Sequence, residues 1–272
     1  NGTVSGVSQT LIDEILANPS GFYVNVHNAE FPGGAIRGQL VASSGDGSST
    51  SFIPVIGKVT GANSTNFVTD LRVVNNGGTT ANVTLDYYAQ NSGGLSAATT
   101  TKTFTVAPGE QKLLNDVVGA TLVQSGLGGL KITSDQNVVA SARIINDLRA
   151  QSLGTAGFAV NAEESGQTAG TITFLAQSAD YRTNLGYFNN TSTSATVTLT
   201  ARNSADGSVL GTNTLTIPGF AMVQQPVFSA ISSVPEANRT QNDFYITWTS
   251  TSPLFIYGAV TDNKTGDAVF NQ

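Results

Sequence analysis

From Phe52 onwards the sequence consists of short runs of alternating apolar and polar residues, separated by turns rich in Gly, Asn, Ser and Pro. Turn signals recur about every 8–12 residues, which is typical of β-sandwich domains. Only 11% of the residues are charged, so the residues that favour exposed helix surfaces are scarce. The pattern therefore predicts an all-β chain.

Two stretches of the chain resemble each other. Residues 69–76 match residues 183–190, and residues 81–85 match residues 195–199 at the same offset. Residues 104–109 also match residues 215–219, with a small deletion. Matches in one order at nearly one offset indicate a duplication. We therefore predict two tandem immunoglobulin-like (Ig-like) β-sandwiches, at residues 52–160 and 161–272, each with a short helical turn, at residues 115–122 and 227–232.

The segment before these repeats has a different pattern. Residues 8–17 place Leu11, Ile12, Ile15 and Leu16 on one apolar helix face, with Ser8 or Thr10 as the cap. Two strand-like runs follow, at residues 22–27 and 35–41, and then a Gly/Ser linker at residues 43–51. One helix and two strands cannot enclose a two-layer core. Residues 1–42 are thus predicted to be part of a β domain that upstream residues or another chain complete.

Residues 17–40 read ANPSGFYVNVHNAEFPGGAIRGQL. This segment closely resembles the C-terminal end of the CHRD (chordin-type) domain, in the Tyr-Val-Asn-Val-His strand, the Pro-Gly turn and the Ile-Arg-Gly-Gln-Leu strand. The resemblance implies a secreted β domain of about 100 residues or more, of which the last 40 or so are here. It implies contacts with proteins or matrix and no catalysis.

The two predicted sandwiches resemble a repeat found in bacterial extracellular proteins. The motifs that carry this resemblance are the opening at residues 52–55, the Thr-Asp-Leu strand at 69–71, the Pro-Gly hairpin at 108–109 and the DNKTGD segment at 262–267. The resemblance implies an extracellular or cell-surface location, on a bacterium, and has no activity attached to it.

Charge and composition exclude several classes of function. The net charge is −6, the isoelectric point is about 4.6 and only 12 residues are basic, so nucleic acid is not expected as a partner. The chain has no cysteine, which excludes disulfides, zinc–thiolate sites and iron–sulfur clusters. No apolar run approaches the roughly 20 residues that a membrane span requires.

Chemistry-bearing motifs are few. His27 is the single histidine and has no partner at metal-ligand or catalytic spacing, so we interpret it as structural. The 262–267 loop is rich in oxygen ligands but lacks the spacing of an EF-hand and holds Lys264, which favours a hairpin turn over a calcium site. No nucleophile elbow, P-loop or dinucleotide fingerprint occurs. We predict no catalytic, cofactor-binding or metal-binding residues.

Aromatic residues are the remaining candidates for ligand contact. Tyr87 and Tyr88 are neighbours in one strand, so alternation predicts that one of them is exposed. Tyr87, Tyr88 and Tyr257 are the candidate positions for stacking on a sugar. Trp248 aligns with a core position of its repeat and is predicted to be buried.

These observations predict a non-enzymatic secreted or cell-surface protein with a structural or adhesive role. Its expected partners are further copies of itself, by strand complementation of the first domain in an extracellular fibre, or other surface and matrix proteins. The alternative is a carbohydrate-binding accessory module of a larger secreted protein, with polysaccharide as the partner. Sandwich folds host many functions, so the fold alone does not decide between these.

Overall fold

The structure, a computed structural model, describes residues 8–18, 21–26, 36–40, 47–61, 65–91 and 97–272. Its contacts divide the chain into two compact units, Asn1–Asp46 and Gly47–Gln272. The described part of the chain is mainly β-strand with a few short helices, which confirms the predicted all-β class. None of the described helices has the length and apolarity that a membrane crossing requires.

Over its described residues, the first unit contains one helix and a two-stranded sheet. Helix α1 spans Gln9–Ala17, and the antiparallel strands β1 and β2 span Tyr23–Val26 and Ile36–Gln39. Ser8 is the helix cap, since its Oγ accepts from the backbone N of Leu11 at 3.3 Å. Leu11 and Ile12 on the helix are exposed, and so are Tyr23 and Val24 on β1. His27 lies outside the described residues.

The second unit contains fifteen strands in the part of the chain described, divided here into a first half (residues 49–161) and a second half (residues 167–271). The strands of the first half are β3 Ser49–Thr60, β4 Asn66–Asn75, β5 Ala81–Ala89, β6 Thr100–Val106, β7 Gln111–Leu114, β8 Gly126–Ser134, β9 Val138–Asp147 and β10 Thr155–Asn161. Those of the second half are β11 Gln167–Gln177, β12 Tyr181–Phe188, β13 Ala195–Asn203, β14 Val209–Ile217, β15 Met222–Pro226, β16 Gln241–Asp262 and β17 Ala268–Asn271. A π-helical turn at Val117–Thr121 and helix α2 at Val227–Ala230 lie at the two predicted helical positions.

The two halves share one pairing scheme. In the first half β4 pairs with β7 and β9, β5 pairs with β6 and β8, and β3 pairs with β8 and, at residues 58–60, with β4. In the second half β12 pairs with β15 and β16, β13 pairs with β14 and β16, and β11 pairs with β16. The long strand β16 therefore occupies the positions of both β8 and β9. Strand β17 pairs with β16 as β10 pairs with β9.

Buried polar side chains explain the two sequence motifs that the halves have in common. Asn75 is fully buried, and its Nδ2 donates to the carbonyl oxygens of Thr79 (2.8 Å) and Val106 (2.9 Å). Asn189, at the matching position, is also fully buried and donates to Thr193 O at 2.8 Å. Each asparagine satisfies backbone groups where a strand turns into a hairpin, which a buried backbone requires.

The shared threonines have an equally specific contact. Thr69 Oγ1 donates to Gly57 O at 2.9 Å and accepts from Gly57 N at 2.7 Å. Thr183 makes the same pair of bonds to the backbone of Ala176. Both threonines are buried and lie beside an irregularity in the neighbouring strand, so they replace ladder bonds that this irregularity interrupts.

Two hydrophobic clusters fill the second unit. One lies within the second half and includes Trp248, which is buried as predicted. The other fills the first half and also includes Phe188, Met222, Phe255 and Tyr257 from the second half. The β-sandwich character is supported, and the Ig-like assignment stays a prediction. The boundaries predicted at 160 and 161 also stay predictions, because the contacts divide the chain only after Asp46.

Candidate functional site

The interface between the two halves of the second unit is built around aromatic rings. Phe188 lies with its ring centroid 6.3 Å from Phe52, 5.9 Å from Tyr88 and 6.3 Å from Phe255. Tyr88 also stacks on Phe220 at 5.2 Å. Because Phe52 and Tyr88 come from the first half and the other rings from the second, these contacts join the halves through a buried aromatic cluster.

Strand alternation explains how the second half forms this interface. In β12 the odd-numbered residues Thr183, Leu185 and Tyr187 face the core of the second half, so the even-numbered ones face outward. The outward residue Phe188 is nevertheless buried, because the first half covers that face. A sheet covered on both faces needs nearly continuous apolar runs. Such a run occurs at residues 254–257, and it is the sequence signal of the interface.

Backbone and amide hydrogen bonds add direction to the interface. Asn91 N donates to Met222 O at 3.0 Å, and Gln90 Nε2 donates to Gln224 O at 2.9 Å. On the opposite side of the interface, Asn146 Nδ2 donates to Gly266 O at 3.3 Å. These hydrogen bonds connect loops and strand ends of one half to those of the other.

The 262–267 loop is a hairpin turn between β16 and β17, as predicted. Asp262 Oδ1 accepts from the backbone N of Lys264 (2.7 Å) and Thr265 (2.8 Å), and these bonds lower the pKa of that carboxyl group. Gly266 N donates to Asp262 O at 2.9 Å. Lys264 Nζ lies 2.9 Å from Asp180 Oδ1. The carboxylate therefore closes the turn, and the glycine makes the contact with the first half.

The three tyrosines predicted as possible ligand contacts are all buried. Tyr87 faces the core of the first half, and Tyr88 is only 4% exposed because Phe188 and Phe220 cover it. The expectation that one of the two is exposed is therefore wrong. Alternation within one strand could not anticipate that the second half covers the outward face. Tyr257 is also buried, but it lines a cavity, so a ligand contact there stays a prediction.

This cavity lies between the halves and has a volume of about 360 Å³. Apolar side chains of the first half form one wall, and the second half contributes five polar residues. Those five are Arg182, Asn184, Gln224, Tyr257 and Thr261. Tyr257 OH donates to Gln224 Oε1 at 2.8 Å.

Strand register identifies the equivalents of this interface elsewhere in the molecule. Leu71 pairs with Ala142 and Leu114 in the first half, and Leu185 pairs with Gly258 and Gln225 in the second. We call the outward face of the β4, β7 and β9 strands, or of their second-half equivalents, the receiving face. In the second half this face holds Asn184, Gly186, Gln224, Phe255 and Ala259, and the first half covers it. Its first-half equivalents are Asp70, Arg72, Leu113, Val139 and Arg143.

The receiving face of the first half is open. Leu113 is 60% exposed and Val139 is 55% exposed. Arg72 lies opposite Leu113 on β4, and its Nη2 is 3.9 Å from Asp70 Oδ2.

The residues of the first half that pack on the second also have equivalents. We call this set the covering end; in the first half it includes Val55, Phe67 and Phe158, which line the cavity wall. The same register places Phe174, Tyr181 and Val269 at these positions in the second half. Phe174 is 80% exposed, and Tyr181 and Val269 are exposed as well. The sequence analysis missed both surfaces, because they follow only from pairing across the whole sheet.

The described residues hold no group of three or more His, Cys, Asp or Glu side chains that could bind a metal ion. The ionisable groups with large shifts are structural. Burial raises the pKa of Tyr87 to about 12, and hydrogen bonds from Arg149 lower the pKa of Asp147 to about 2.

Comparison with known proteins agrees with one part of the chain. Residues 2–40 match the family model of the CHRD domain, which is an extracellular type of β domain. No curated protein matches the chain. A solved structure described as "Structure of infectious bursal disease virus Gx strain" aligns over 92% of this chain and 67% of that chain, at 11% identity and a TM-score of 0.18, and this likeness carries no argument. The resemblance of the two halves to a bacterial extracellular repeat stays a prediction.

Proposed function

We propose that this chain is a non-enzymatic structural subunit of an extracellular or cell-surface assembly, and that it associates head to tail with further copies of itself. The match of residues 2–40 to the CHRD domain supports the extracellular location. One observation carries the mode of assembly: the interface between the halves has two sides, and each side recurs as an exposed surface in the other half. The exposed receiving face is in the first half, and the exposed covering end is in the second half.

The interface within the molecule is heterologous, since the covering end of the first half contacts the receiving face of the second. Among the described residues, each molecule therefore exposes a second receiving face, around Leu113 and Val139, and a second covering end, around Phe174 and Val269. A heterologous contact that does not close on itself generates an open chain of subunits. The occupant that we propose for the receiving face is the covering end of a second copy.

The equivalent positions have compatible chemistry. In the covered interface Phe255 occupies the position of Val139, and Val55 occupies that of Phe174, so both remain apolar in the open copies. The open receiving face is more polar than the covered one, since Asp70, Arg72 and Arg143 replace Asn184, Gly186 and Ala259. An interface with this polar content is typical of subunits that fold before they associate.

Strand complementation in the first unit is a second candidate for assembly. The described strands β1 and β2 form a two-stranded sheet, and Tyr23 and Val24 are exposed on it. A sheet of this size with apolar exposed residues favours addition of a further strand. Carbohydrate binding remains the alternative function, and a glycan array without any binding to the full chain would exclude it.

The test uses two variants that each block one surface. Leu113→Glu places a charge on the receiving face, and Phe174→Glu places one on the covering end. Both side chains are exposed, so the fold should tolerate the changes. We expect the weight-average mass of the wild-type chain to rise with concentration, and each variant alone to remain at the 28.0 kDa of one chain. An equimolar mixture should form a two-chain species, because each variant supplies the surface that the other lacks.

Val209→Glu is the matched control, since Val209 is also exposed but lies on neither surface. This variant should associate as the wild type does when mass is measured by light scattering after gel filtration. A wild-type chain that stays at one-chain mass at every concentration would contradict the proposal. So would a mixture of the two blocked variants that forms no two-chain species.

A further inference from the structure

The cavity between the halves has the size of a small-molecule site. Its volume of about 360 Å³ falls within the range of about 300–1,000 Å³ that ligand pockets occupy. The first half lines it with Val55, Val59, Phe67, Leu127 and Phe158, so one wall is apolar and partly aromatic. Pockets with an apolar wall and a few polar groups bind organic molecules with one polar end.

Arg182 is the charged group of the cavity, and its charge is not neutralised by a partner. Its Nη1 donates to Asn263 Oδ1 at 2.8 Å, and across the described parts of the chain no carboxylate lies within 4.0 Å of its guanidinium. Burial lowers the pKa of Arg182, and no carboxylate raises it. An arginine keeps its proton in proteins, so a partly buried positive charge with unused donors faces the cavity.

The other polar groups of the cavity differ in whether they have hydrogen-bond partners. Tyr257 and Gln224 bond to each other, and the Gln224 carbonyl accepts from Gln90. The side-chain amide of Asn184 has no hydrogen-bond partner among the described residues and lines the cavity beside Arg182, two residues away on the same strand face. The free guanidinium and amide donors of the cavity are therefore concentrated at Arg182 and Asn184, and the hydroxyl of Thr261 also lines it.

The repeat itself does not require an arginine at this position. The equivalent of Arg182 in the first half is Val68, because residues 69–76 match residues 183–190 and each of the two residues directly precedes the matching threonine. The scaffold therefore accommodates valine at this position. A partly buried cation in its place lowers the stability of the fold unless a counter-ion pairs with it.

We propose that this cavity binds a small organic carboxylate, with the carboxylate on Arg182 and Asn184 and the hydrocarbon part against Phe67 and Phe158. The planar guanidinium matches a carboxylate in a two-bond geometry, which makes it more selective than a lysine for this group. The site lies inside one molecule, so it is independent of the proposed assembly.

The test titrates the full 15N-labelled chain with 3-phenylpropionate and hexanoate, and with the uncharged 3-phenylpropanamide and hexanamide. We expect saturable shifts of the backbone amides of residues 182–186 and 257–261 with the carboxylates. The amides should bind about tenfold to a hundredfold more weakly, the range for loss of a charge-assisted hydrogen bond. Arg182→Gln should weaken carboxylate binding by a similar factor and leave amide binding unchanged.

Arg202→Gln is the matched control, because Arg202 donates to Gly207 O at 3.1 Å and does not line the cavity. It should bind the carboxylates as the wild type does. No saturable shift with either carboxylate would overturn the proposal, and so would equal binding of carboxylate and amide by the wild type. That comparison decides the question even if Arg182→Gln does not fold.

Discussion

Tyr87 and Tyr257 are both buried in the cluster that fills the first half, but their hydroxyl groups differ. Tyr257 OH donates to Gln224 at 2.8 Å, whereas Tyr87 OH has no hydrogen-bond partner among the described residues. A buried hydroxyl without a partner costs about 1–3 kcal/mol of stability, and a typical intact hydrogen bond contributes about 1 kcal/mol. Removal of the hydroxyl group should therefore raise the stability of the protein at Tyr87 and lower it at Tyr257.

We expect Tyr87→Phe to raise the free energy of unfolding by up to about 1 kcal/mol at pH 7, and Tyr257→Phe to lower it by about 1 kcal/mol. Urea denaturation of the full chain measures both changes, and Tyr257→Phe serves as the control for the loss of a hydroxyl. A loss of stability in Tyr87→Phe as large as that in Tyr257→Phe would show that the Tyr87 hydroxyl is satisfied.

The same tyrosine predicts a pH dependence. Burial raises the pKa of Tyr87 from 10.0 to about 12, so its ionisation in the unfolded chain begins to favour unfolding above pH 10. The contribution of the neutral Tyr87 side chain to the free energy of unfolding is therefore fully present below pH 10 and is lost as the pH rises through 12. The stability advantage of Tyr87→Phe over the wild type should accordingly widen across this range.

At the scale of elements, the geometry of the β16–β17 turn accounts for the DNKTGD segment. Gly266 has a φ of +70°, in the left-handed region, and an added Cβ would overlap Thr65 and lie 2.7 Å from Asn146 Nδ2. The turn therefore needs glycine for its own geometry and for its contact with the first half. Asp262 and Gly266 thus account for the turn geometry of residues 262–267.

A pair of substitutions separates the two requirements. Gly109 has a φ of +71° with nothing within 4 Å of an added Cβ, so Gly109→Ala should cost about 1 kcal/mol from backbone strain alone. Gly266→Ala should cost about 2–4 kcal/mol, because the overlap with the first half adds to the same strain. Guanidinium denaturation measures the free energy of unfolding of both variants. Equal decreases would mean that the added methyl group at residue 266 does not clash with the first half.

Sequence reasoning succeeded where a residue acts within its own repeat. The shared Thr and Asn positions, Trp248 and the two helical turns all follow from patterns within about 120 residues of chain. It failed at Tyr88, because alternation describes one strand and one sheet and carries no information about a second sheet packed on the outward face. The cavity and Arg182 were missed for the same reason.

At the scale of the whole molecule, the two halves make one heterologous contact, and a second copy of each partner surface is exposed among the described residues. The first-half ring of Phe158 stacks on Phe270 with centroids 5.5 Å apart. The register places Val269 at the position of Phe158 and Ala159 at that of Phe270. In a head-to-tail assembly, Val269 of one copy should therefore approach Ala159 of the next.

Cysteine cross-linking tests this contact most directly, since the chain has no cysteine of its own. The Ala159→Cys and Val269→Cys chains, one of them 15N-labelled, are mixed and treated with a short thiol cross-linker, with Val209→Cys in place of either as the control. Head-to-tail assembly predicts cross-linked dimers that pair one Ala159→Cys chain with one Val269→Cys chain, well above the control. Equal amounts of the two homodimers, or no cross-linking beyond the Val209→Cys level, would contradict it.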